Sequence, residues 1–168
     1  MEYLLVSVIT IAFMTFCVSK CENVLCKIVA ALFLLFGVMQ VLLSMSMIPG
    51  YLGYFMYASP VATTIFIFQL FRTASEVRTR GEEGANYNII IAVALLCLLA
   101  ISFDEIMIYL DSEWFYRLYM RIWPHVVVLI TVIVMKVKKV VLNKDESLLL
   151  WYFAGLSFWR LCVYFLIG

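Results

Sequence analysis

ISFDEIMIYLDSEWFYRLYMRIWPH, residues Ile101 to His125, packs seven ionisable residues into a chain that is otherwise mostly oil. Asp104, Glu105, Asp111, Glu113, Arg117, Arg121 and His125 all fall inside it. Its reading decides where the fourth span ends and what joins it to the fifth. If this stretch is a connection between two helices, the segments on either side make six spans. If part of it lies flat, the span before it is short.

The rest of the composition sets the class. Of 168 residues, 66% are hydrophobic and 14% charged. A soluble domain is about 45–50% apolar and about 25% charged. The excess does not fit inside a core of this size, because a small globule has a large surface to cover. The net charge of +1 provides no field that would steer the chain to nucleic acid. The fold class expected is therefore all-α: a polytopic integral membrane protein with about six transmembrane helices in three hairpins, forming one domain over residues 1–168.

Working outward from that stretch, the breakers define the helices. Helix 1 is expected over Tyr3–Val18, without the basic start or small-residue cleavage site of a signal peptide. Helix 2 is expected over Val24–Met47, ending at Pro49 and Gly50. Helix 3 is expected over Tyr51–Phe71, opening on an interfacial aromatic belt of Tyr51, Tyr54, Phe55 and Tyr57. Pro60 is expected to kink it. A polar segment follows from Arg72 to Asn88. Helix 4 begins near Ile89 and runs toward Phe103 or Leu110. Helix 5 covers Ile122–Met135, starting as early as Tyr116. Helix 6 covers Ser147–Ile167. No internal repeat with a recognisable signature is present.

Threading follows from the basic residues near helix ends. Lys20 and Lys27 mark the first turn. Arg72, Arg78 and Arg80 mark the third, and Lys136, Lys138, Lys139 and Lys144 the fifth. Together these are 9 of the 12 basic residues. Turns 1–2, 3–4 and 5–6 are therefore expected to face the cytoplasm, with both termini outside. Short loops and the absence of an Asn-x-Ser/Thr acceptor fit a bacterial inner membrane. The lysines beside that surface attract anionic lipid.

Ionisable groups at bilayer depth cost several kcal/mol and need partners or water. At about 1.5 Å per residue, Arg160 lies roughly 20 Å into helix 6, Asp104 roughly 24 Å into helix 4, and Gln40 roughly 20 Å into helix 2. Arg117, Arg121 and His125 form a stripe at i+4 spacing. Gln40, Asp104, Glu105, Arg121, His125 and Arg160 thus make one expected polar cluster in the outer half of the membrane, with an ion pair between Arg160 and Asp104 or Glu105. The alternative is that Phe103–Arg121 lies as an amphipathic helix in the outer interface, with Arg160 snorkelling outward.

Chemistry-bearing patterns are missing. There is no phosphate-binding glycine loop, paired-histidine metal motif or nucleophile elbow. Five scattered cysteines and one histidine do not supply a metal site, and a cytoplasmic turn argues against a Cys21–Cys26 disulfide. Met39, Met45, Met47 and Met56 read as packing rather than as Cu(I) ligands. Gly37, Ala154 and Gly155 are candidates for close helix packing. No catalytic residues, metal or cofactor are expected. The function expected is that of a non-catalytic membrane subunit, sensor or regulatory module. It would act on a homo-oligomeric, membrane or cytoplasmic protein partner, with Glu76–Glu83 and Lys136–Glu146 as possible cytoplasmic contacts. The alternative is a small oligomeric transporter or channel using Asp104, Glu105, His125 and Arg160.

Overall fold

The computed structural model describes residues 2–49, 52, 55, 57–81, 87–98, 114–140 and 142–167, with side chains at all of these except 2, 3, 114–121, 160, 163, 164, 166 and 167. The protein is all-α, with six helices: α1 Glu2–Lys20, α2 Val24–Ser44, α3 Ala58–Thr79, α4 Tyr87–Leu98, α5 Trp114–Val137 and α6 Lys144–Ile167. Among the described residues, α2 is the one helix long and apolar enough to cross a membrane; Leu4–Lys20, Tyr87–Leu98 and Ile122–Val137 are apolar but shorter. The chain divides into two compact units, Met1–Phe66 and Ile67–Gly168.

In the first unit α1 and α2 pack as a hairpin. Ser7, Thr10, Met14 and Cys17 are buried at alternating spacings of three and four, followed by Cys21 just past the helix end. That repeat forms a single seam on α1. The seam meets Cys26, Val29, Ala30, Phe33 and Gly37 of α2. Gly37 allows the closest approach. A Cβ there would stand 3.0 Å from Ile11 Cγ1 and 3.4 Å from the Ser7 carbonyl oxygen. Asn23 starts α2, its side chain accepting from Leu25 N at 2.9 Å and Cys26 N at 3.3 Å, as an N-cap should. The helix ends three residues before the expected Met47. Ser46 takes the left-handed conformation at φ 55°, and Met47 N donates back to the Leu42 carbonyl at 2.9 Å. This 6→1 bond is the Schellman closure of a helix end.

Helix α3 corrects the expected Tyr51–Phe71 at both ends. It begins at Ala58, so Tyr51, Tyr54, Phe55 and Tyr57 precede it. Pro60 is the third residue of the helix and lies in the first turn, where backbone N–H groups have no partner inside the helix. It therefore removes no hydrogen bond and gives no cause for a kink. At the other end the helix runs on through the expected polar segment to Thr79. Arg72 and Glu76 pair across one turn at 3.1 Å, and Gly81 takes the left-handed conformation at φ 73° beyond it.

In the second unit α5 and α6 form another hairpin. Helix α5 starts at Trp114 and continues past Pro124 to Val137. Trp114–Arg121 is therefore continuous with the helix that follows. Residues 99–113, with Asp104, Glu105, Asp111 and Glu113, lie outside the described residues. Lys139, at φ 51°, closes α5, with Val140 N donating to the Met135 carbonyl at 3.0 Å. Helix α6 begins at Lys144, three residues before the expected Ser147. That early start places Glu146 inside the helix.

Candidate functional site

The least expected group is Glu146. It is 0% exposed, in a segment whose run of charges reads as a solvated turn. Two features of the chain bring it inward. First, Glu146 is the third residue of α6, and its Oε2 accepts from the Asn143 backbone N–H at 3.1 Å. A glutamate at this position reaches back to the residue before the helix, as in half of a capping box. The helix N-terminus also favours negative charge. Second, α3 offers two donors one turn apart. Gln69 Nε2 donates to Glu146 Oε1 at 2.8 Å, and the Thr73 hydroxyl donates to the same oxygen.

Gln69 is itself only 4% exposed, and its Oε1 has no hydrogen-bond partner. Buried polar atoms are rarely left this way. No basic side chain neutralises the carboxylate among the described residues. Arg72 is paired with Glu76 at 3.1 Å, Arg78 lies 5.7 Å from the Tyr87 ring centre, and Lys136 lies 5.1 Å from that of Trp151. Arg80, Lys138, Lys139 and Lys144 are exposed. All seven residues expected in the basic turns are thus at the surface, although Arg72 and Arg78 stand on α3 itself. Lys136–Glu146 is not uniformly a surface, since Asp145 and Glu146 are both buried.

Of the expected outer polar cluster, Gln40 and His125 have described side chains. Gln40 is held within the first unit, where its Oε1 accepts from the Ser7 hydroxyl at 2.7 Å. His125 is held within the second, its Nδ1 sharing a hydrogen bond with the Ser157 hydroxyl at 3.3 Å. Ser157 is buried and carries this contact from α6, three residues before Arg160. The side chains of Arg121 and Arg160, and all of Asp104 and Glu105, lie outside the described residues. Among the described residues, no group of three or more His, Cys, Asp or Glu is placed to hold a metal ion.

Sequence reasoning missed Glu146, Gln69 and Thr73. The available signals were Asn143 three residues before Glu146, a helix-start pattern, and an isolated glutamine at 69 in an apolar stretch. No protein-family model, curated protein or solved structure matches the chain.

Proposed function

We propose that the chain is a polytopic integral membrane protein of the plasma membrane, most consistent with a bacterial inner membrane, whose six helices cross in three hairpins with both termini outside. In this reading it works as a non-catalytic subunit, sensor or regulatory module through contacts with partners in a larger assembly. The observation that carries the reading is the large apolar surface that the helices keep outward, beside a core that also holds polar groups. Ser7, Thr10, Thr63, Gln69, Thr131, Glu146 and Ser157 are buried, while large apolar side chains point outward on all six helices. Trp151, Phe158 and Phe165 make one such outward stripe on α6, and Val126, Ile130, Ile133 and Val137 another on α5. Water would expose these faces at a cost of about 25 cal/mol per Å²; lipid tails accept them. Hydropathy alone supports a span at α2, and for the other five helices the support is the outward apolar face.

The non-catalytic reading rests on what the described polar groups are used for. Ser7–Gln40, His125–Ser157 and the Glu146 cluster each join one helix to another, which is the use of interhelical hydrogen bonds in membrane proteins. The runner-up is a small oligomeric transporter or channel. A buried carboxylate in so apolar a chain favours it, because intramembrane ionisable groups mark ion pathways as well as structural sites. Purified protein reconstituted in liposomes separates the two. A subunit or sensor gives no ion flux above protein-free liposomes and migrates in mild detergent as an oligomer or with a co-purifying partner. Flux that scales with protein supports the transporter and overturns the subunit.

A further inference from the structure

We propose that Glu146, Gln69 and Thr73 form a binding site for a monovalent metal cation, Na+ or K+. The proposal stands on geometry inside the second unit and does not depend on the membrane reading. A carboxylate has about four lone-pair positions. Three are taken here, by Asn143 N, Gln69 Nε2 and Thr73 Oγ1, which leaves one open. Gln69, which already contacts the carboxylate through Nε2, keeps its Oε1 buried and without a hydrogen-bond partner. The Thr73 hydroxyl donates its hydrogen bond to Glu146, and its oxygen keeps its own lone pairs. All three open acceptors are hard oxygens, the ligand type that alkali and alkaline-earth cations take.

Charge then selects the class. The anion of the site is Glu146, and every basic residue of this unit whose side chain is described is paired, stacked on a ring or exposed. An unneutralised buried charge is costly. A monovalent ion leaves the site neutral. A divalent ion would leave it with a buried net positive charge. A hydrogen-bond donor alone would satisfy Gln69 Oε1 but would leave the carboxylate charge uncompensated. One small cation answers both needs.

The test is the thermal unfolding of the full chain in nonionic detergent, in NaCl, KCl or N-methyl-D-glucamine chloride at matched ionic strength. The organic cation is too large for the site. At ten times its Kd a bound ion raises the melting temperature by roughly 3–6 °C over the organic salt, and the rise saturates. Gln69→Leu removes the open acceptor and abolishes the dependence, whereas Thr64→Ala, on an exposed residue of α3, keeps it. Identical melting of the wild-type protein in all three salts overturns the proposal, as does an unsaturating rise. Dependence on pH without dependence on the cation also overturns it, by assigning the open position to a proton. The wild-type comparison decides the matter even if Gln69→Leu does not fold.

Discussion

A carboxylate taken out of water loses its hydration, and fixed donors must replace it. At Glu146 those donors come from the start of its own helix and from two side chains of α3. Replacing it with leucine leaves Gln69 Nε2, the Thr73 hydroxyl and the Asn143 N–H without an acceptor. Of these Gln69 is buried, and an orphaned buried group costs about 1–3 kcal/mol, so Glu146→Leu is expected to lose roughly 1–3 kcal/mol of stability. Glu76 is the control, since its pair with Arg72 is half exposed on both sides. Glu76→Ala is expected to change stability by about 0.5 kcal/mol or less. Chemical unfolding in mixed micelles measures both; comparable small losses would show that the Glu146 contacts are not structural. Glu146 was hidden in the sequence because Lys144, Asp145 and Glu146 together look solvated. Whether such a residue turns inward depends on the donors a distant helix presents, and Gln69 lies 77 positions away. Gln40 and His125 were legible as costly polar groups, but their partners Ser7 and Ser157 were not, because a small hydroxyl in a helix carries no sign of which way it faces.

Among the elements, the existence of all six helices was legible because apolar runs and their breakers are local. Several ends were not. Pro60 reads as a kink when a helix is drawn from Tyr51, yet it is a first-turn residue of a helix that starts at Ala58. The charges after Arg72 read as a loop, yet the helix runs on to Thr79, because charged side chains on an exposed helix face leave the backbone bonds intact. Two glycines draw a sharper contrast at this scale. Gly37 faces Ile11 and Ser7 across the α1–α2 seam, while a Cβ on Gly155 meets nothing within 4 Å. Gly155→Ala is therefore expected to stabilise α6 by about 0.5–1 kcal/mol, the helix-propensity gain over glycine. Gly37→Val, which forces the hairpin apart, is expected to cost about 1–3 kcal/mol. The two melting temperatures should move in opposite directions. A melting temperature that does not fall for Gly37→Val would mean that α1 and α2 do not depend on that close approach. Of the small residues that looked suited to helix packing, Gly37 and Ala154 are buried and Gly155 is exposed, because sequence shows that a residue is small but not which way it faces.

At the scale of the whole molecule, the apolar excess of the chain and the outward apolar faces of its helices both ask for a lipid surround, and the basic turns ask for a direction across it. In the arrangement proposed above, the turn after α2, with no basic residue, lies outside, and the turn after α5, with Lys138 and Lys139, lies in the cytoplasm. Reporter fusions made after Met47 and after Lys139 in a bacterial host measure this directly. With alkaline phosphatase, which is active only outside the inner membrane, the account predicts high activity after Met47 and background activity after Lys139. A fluorescent protein that matures only in the cytoplasm should give the reverse. Phosphatase activity after Lys139, or release of the whole chain from membranes by alkaline carbonate, would contradict it.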